Sequence, residues 1–151
     1  MIKKSFITLA IFFLLNGCGF TPIFNASNLN INIDKIDFDN NKINRNFANS
    51  IKGFSNQKSN EVYSLYISSF STKNILAKDS KGDTSVYNLE LKVSITLINN
   101  NNSKELKKSF TENINLNSSD DKFKLKITEN TLIDQMSQKI LKDILKFIAT
   151  I

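Results

Sequence analysis

Residues 86 to 98 constrain the fold more than any other stretch of this chain. Tyr87, Leu89, Leu91, Val93, Ile95 and Leu97 alternate without error with Asn88, Glu90, Lys92, Ser94 and Thr96. Successive side chains of a strand point to opposite faces, so this stretch demands a sheet with one face covered and the other open. A strand of thirteen residues spans ~43 Å, more than twice the usual length. The domain should therefore be elongated and twisted.

Other periodicities surround this strand in a definite order. Leu29, Ile31 and Ile33 alternate with polar residues, and Ile36 and Phe38 resume after Asp34-Lys35, which reads as a first strand with a bulge. From Asn41 the spacing turns helical, with Ile43, Phe47, Ile51 and Phe54 on one face. Asp39 or Asn40 offers the N-cap and Gly53 a left-handed stop. Residues 61 to 77 read as a second strand with Tyr63, Leu65 and Ile67 on one face. Residues 78 to 83 carry turn residues. After strand three, residues 104 to 116 supply a fourth strand with Phe110, Ile114 and Leu116 in phase. Leu132, Met136, Ile140, Ile144 and Ile148 then recur at helical spacing. Phe123, Leu125 and Ile127 alternate like a strand, so the last helix is expected to begin between Lys126 and Asn130.

The expected fold is α+β in two layers: a four-stranded, mostly antiparallel mixed sheet with two helices on one face, in the order β-α-β-β-β-α. The strand-helix-strand unit makes strands one and two parallel, by a right-handed crossover, and the hairpins make the others antiparallel.

The N-terminus carries a different message. Lys3 and Lys4 precede an apolar run from Phe6 to Leu15 broken only by Thr8. The run is too short for a transmembrane helix and reads as a secretory signal. It ends at Leu15-Asn16-Gly17-Cys18, similar to the lipobox in which the cysteine is acylated and the bond before it cut. Residues 1–17 are then a cleaved signal peptide, 18–28 a lipidated extended leader with Pro22, and 29–151 one periplasmic domain. Cys18, the sole cysteine, is the expected lipid attachment site. Its buried acyl methylenes, at ~0.8 kcal/mol each, tether the protein to a bilayer that it does not span. Gly19 follows the cysteine where an inner-membrane retention signal would place aspartate, which favours the periplasmic leaflet of the outer membrane.

Catalytic chemistry is scarce. The chain has no histidine, and a cysteine used for lipid leaves neither disulfide nor thiolate zinc site. Asp37 and Asp39, Asp120 and Asp121, and Asp134 and Asp143 have solvation and capping as their ordinary uses. No serine sits in a glycine-flanked elbow, and residues 80–83 form a turn instead of a phosphate loop. No enzyme activity, metal or cofactor is expected. Removal of Lys3 and Lys4 leaves 18 basic against 14 acidic side chains, and Arg45 is the only arginine. Guanidinium readout of nucleic acid is thus nearly unavailable. Asparagine tracts such as residues 99–102 are attributed to a nucleotide-biased genome.

"CGFTPIF", Cys18 to Phe24, resembles the "CGFRPLY" opening of the LPS-assembly lipoprotein LptE family. Cys18, Gly19, Phe20 and Pro22 match, whereas Thr21 replaces an arginine and Phe24 a tyrosine. The resemblance implies the same element order and a non-enzymatic partner of the outer-membrane β-barrel LptD, plugging its lumen and contacting lipopolysaccharide. Alternatives are an auxiliary lipoprotein of another envelope lipid-transport or secretion complex, and a structural lipoprotein that binds cell wall. For an anionic ligand the topology brings Lys78, Lys81, Lys122 and Lys124 to one end, far from Cys18. Lys104, Lys107 and Lys108 form a competing cluster at the other end.

Overall fold

The alternation of residues 86–98 becomes the central strand of a four-stranded sheet. A computed structural model describes residues 29–151. Its elements are β1 (Asn32–Phe38), α1 (Lys42–Phe54), β2 (Val62–Lys78), β3 (Thr84–Asn99), β4 (Glu105–Asn117) and α2 (Lys122–Ile148), and the sheet order is β1-β2-β3-β4. β1 runs parallel to β2, and β2, β3 and β4 are successively antiparallel. The expected β-α-β-β-β-α two-layer fold is thus the observed one. The signal peptide, Cys18 and the leader lie outside the described residues.

One sheet face and both helices make a single core. Leu89, Leu91, Val93, Ile95 and Leu97 of β3 are buried together with Leu65 and Ile67 of β2, Phe47 and Ile51 of α1, and Met136, Ile140 and Ile144 of α2. Phe110 of β4 meets Phe147 of α2 edge to face, with ring centroids 6.3 Å apart. The even-numbered residues of β3 stay half-exposed or exposed on the bare face.

β1 is bulged where expected, its register slipping between Ile33 and Lys35. The amide of Ile33 beside the slip donates to Ser55 Oγ at 2.7 Å. Both proposed ends of α1 need correction. Its N-cap is Asn41, whose side chain accepts from the Asn44 amide at 2.8 Å. Asn41 wins over Asp39 and Asn40 because its Nδ2 also reaches the Ser69 carbonyl of β2. Gly53 does not stop the helix, which continues through Phe54 to an extended Ser55 whose N–H bonds the Lys52 carbonyl.

The start of α2 is the larger correction. The helix begins at Lys122, four residues before the expected window, because Asp121 caps it by accepting from the Lys124 amide at 3.0 Å. Phe123, Leu125 and Ile127 alternate in residue type but not in role. Leu125 is buried, while Phe123 and Ile127 are 76% and 51% exposed. The resulting helix of 27 residues is ~40 Å long and matches the long strands beneath it.

Beyond the apolar core, ion pairs hold α2 to the sheet on both sides. Lys73 Nζ of β2 lies 2.7 Å from Glu129 Oε2 and 4.3 Å above the Tyr87 ring, and Lys139 Nζ lies 2.7 Å from Glu112 Oε2 of β4. They reach from α2 to β2 and β4, on either side of β3.

Candidate functional site

The β2–β3 hairpin forms one end of the molecule. Lys78 pairs with Thr84, and Asp79 organises the turn by accepting from the amides of Lys81 and Asp83, both at 2.9 Å. Gly82 takes φ +87°, a left-handed value that glycine adopts without strain. β4 returns to this end, since Asn117 pairs with Val86 and the Ser118 amide donates to the Ser85 carbonyl. α2 begins four residues later. The topology therefore brings Lys78, Lys81, Lys122 and Lys124 to one end, all of them exposed. Asp79, Asp83, Asp120 and Asp121 stand among them, so the end carries four cations and four anions. Spacing in the sequence brought the lysines into view and left these neighbours out.

The opposite end holds the β3–β4 turn and the point where the described chain begins. The Leu29 amide donates to the Phe54 carbonyl, and the Asn100 amide to that of Val62. Along β2, this end lies roughly 50 Å from Lys78. Lys107 pairs with Thr96 and Lys108 with Ile95, a core residue, so these two lysines emerge on opposite faces of the sheet. Lys107 is also held 3.1 Å from Glu105. Lys104, Lys107 and Lys108 therefore do not form one patch.

Between the helices runs a groove of about 280 Å³. Ile43 and Phe47 of α1 and Leu141 of α2 give it apolar walls, and Lys42, Asn46 and Asp134 are among its polar lining.

Among the described residues, three titratable groups depart from their ordinary values. A hydrogen bond to Asp39 raises the Tyr66 hydroxyl, with smaller contributions from burial and the carboxylate charge. Burial raises Glu129, but its bonds and charge attraction to Lys126 and Lys73 outweigh this and hold it below the usual carboxylate range. Lys139 is raised by its bond to Glu112. Among the described residues no group of three or more acidic, histidine or cysteine side chains is placed to hold a metal ion, and no helix is long and apolar enough to cross a membrane.

No protein-family model and no curated protein matches the sequence. Solved structures do match. The crystal structure of rare lipoprotein B from Shewanella oneidensis superposes with a TM-score of 0.65 at 12% identity, covering 79% of this chain and 95% of that one. The solution structure of an uncharacterized lipoprotein B from Nitrosomonas europaea gives a TM-score of 0.63 at 19% identity, over 80% and 84% of the two chains. A putative lipoprotein from Caulobacter crescentus gives 0.54 at 14% identity, over 78% and 88%. At these identities the likeness is one of fold. It covers about four fifths of this chain, and the chain thus has the fold of rare lipoprotein B.

Proposed function

We propose that this protein is a non-enzymatic lipoprotein of the outer membrane, anchored in the periplasmic leaflet through Cys18, that partners an LptD-like β-barrel and contacts lipopolysaccharide on its way to the cell surface. The observation that carries this reading is the agreement of two independent signals. The fold is that of rare lipoprotein B structures, and the residues from Cys18 to Phe24, which precede the described residues, resemble the start of LptE.

The shape of the domain supports the same reading. Its outer sheet face is long and bears serine, threonine and asparagine side chains, which stay hydrated in the water-filled lumen of a large barrel without packing on its wall. The lysine end lies away from the point where the chain leaves toward its anchor. That arrangement is compatible with an anchor in the bilayer and a far end in the path of the lipid. No observation favours the transport-auxiliary or cell-wall alternatives over it.

Co-purification of the full-length protein from envelopes tests the proposal. The expected result is a large outer-membrane barrel in the eluate, and Cys18→Ala should abolish incorporation of labelled fatty acid. Recovery of a transport complex, or of peptidoglycan, in place of a barrel would replace the proposed function with the corresponding alternative.

A further inference from the structure

The sheet face that the helices leave bare carries a pattern that neither the core nor the lysine end explains. Tyr66 and Phe70 alternate with buried Leu65 and Ile67 and pair with Thr96 and Lys92, so both rings emerge on this outer face. They are 43% and 54% exposed. Two half-exposed rings on the same face of one strand are available to a partner that stacks on them. Four residues of strand place the two rings ~13 Å apart on one line. The Tyr66 hydroxyl donates to Asp39 Oδ1, which fixes the orientation of its ring against the sheet.

The surroundings of the rings narrow the chemistry. Ser94 and Ser109 join hydroxyls at 2.9 Å on this face, and Asn88 Nδ2 donates to Asn115 Oδ1 at 3.4 Å. Charges here largely cancel. Lys35 is paired with Asp37 at 2.6 Å, Lys107 with Glu105 at 3.1 Å, and Glu90 and Lys92 stand two residues apart on β3. Such a surface offers little field to a phosphate. It is complementary to an uncharged sugar, whose C–H face packs on an aromatic ring while its hydroxyls exchange hydrogen bonds with amides and hydroxyls.

We propose that the open sheet face is a saccharide-binding platform on which Tyr66 and Phe70 stack sugar rings of the uncharged oligosaccharide portion of lipopolysaccharide. The inference rests on the proposed function for the source of the saccharide. It goes beyond it by assigning the sugar to the sheet face and the phosphates elsewhere. Lys92 and Thr96, opposite the two rings, supply donors at the edges of the stacked sugars.

Backbone NMR of the full-length protein in nanodiscs tests this with three probes: dephosphorylated core oligosaccharide, lipid A, and peptidoglycan fragments. The oligosaccharide should shift the amides of residues 66–70 and 92–96. The double variant Tyr66→Ala, Phe70→Ala should bind it at least about tenfold more weakly, while remaining folded by its NMR spectrum and with unchanged lipid A affinity. Tyr66→Phe keeps the ring and should retain most of the affinity. If lipid A binds but the oligosaccharide leaves the outer face unshifted, the platform is refuted while the proposed function stands. Equal or stronger shifts with peptidoglycan fragments overturn the assigned source. Loss of barrel co-purification in the double variant, with no oligosaccharide shift, would show a protein contact, to which the exposed Ile98 on the same face would also belong. Failure of both lipid A and oligosaccharide to bind, with no barrel recovered, would remove the proposed function itself.

Discussion

Asparagine does much of the local work in this protein, and its abundance hid that from the sequence. Asp39, Asn40 and Asn41 are comparable as helix caps by residue type. What selects Asn41 is a tertiary contact, its Nδ2 reaching Ser69 on β2, which no local spacing encodes. Three residues on, Asn44 is fully buried and donates Nδ2 to the Asp39 carbonyl at 2.9 Å, stitching α1 to the end of β1. Its Oδ1 has no hydrogen-bond partner among the described residues. The tract attributed to genome bias is likewise structural at its first residue. Buried Asn99 accepts from the amides of Asn101 and Asn102 and donates to Glu61, so its side chain builds the β3–β4 turn. These roles yield a graded prediction. Asn41→Ala should cost about 1 kcal/mol by loss of the cap. Asn44→Ala should cost ~1 to 3 kcal/mol, because the Asp39 carbonyl loses its side-chain partner and a small void opens. Asn40→Ala should be near neutral in the same urea titrations. Equal costs at all three positions would mean that the caps are interchangeable and that Ser69 selects nothing.

At the scale of elements, what was legible followed from burial. β3 could be read residue by residue because its covered and bare faces differ in chemistry at every step. The bulge of β1 was legible for the same reason, but the strand begins at Asn32, and Leu29 and Ile31, read as its first inward residues, are buried ahead of it where the chain bends. The start of α2 was not, because its first turns overhang the core and only Leu125 of the three apolar residues faces inward. The signal that could have found it is Asp121 at the cap position, preceded by Ser118, Ser119 and Asp120. Those overhanging turns are held by Glu129, bound to Lys73 and Lys126. A carboxyl held below its ordinary value stays charged in the folded state to lower pH than in the unfolded chain. Its stabilisation is complete above the unfolded value and fades as pH falls through the folded one. Glu129→Gln should therefore lower the melting temperature at neutral pH and flatten its acid dependence. The difference from wild type should shrink as pH drops below the ordinary carboxylate range. A constant difference down to that acid limit would assign the loss to packing instead of charge. Across the layers, Leu91 and Ile140 are both fully or almost fully buried in the same core. Truncation of either to Ala should cost ~2 to 5 kcal/mol, from lost burial and the cavity left behind. Wild-type melting in both variants would contradict the assignment of the inner face.

For the whole molecule, the question on which the proposed function turns is which end would meet an anionic ligand, and the long sheet separates the possibilities cleanly. The hairpin end gathers Lys78, Lys81, Lys122 and Lys124, yet four aspartates share it, so its field at a distance beyond the Debye length is weak. Under the proposed function, lysines there would act by direct contact with phosphate or carboxylate groups, not by long-range steering. Asp79 and Asp121 are occupied by backbone amides as turn and cap acceptors, which leaves the lysine ammonium groups exposed to a ligand while those two carboxylates are engaged. At the other end the register sends Lys107 and Lys108 to opposite faces, so a single anionic headgroup cannot engage both on one sheet surface. This geometry favours the hairpin end even though its net charge does not. Conversion of Lys78, Lys81, Lys122 and Lys124 together to Gln should weaken binding of lipid A and reduce its salt dependence. The melting temperature should hold, since all four side chains are exposed. The control variant Lys104→Gln, Lys107→Gln, Lys108→Gln should bind like wild type. Its loss of affinity, with the quadruple variant unaffected, would move the anionic site to the end where the described chain begins and reverse the orientation proposed for the protein on its membrane.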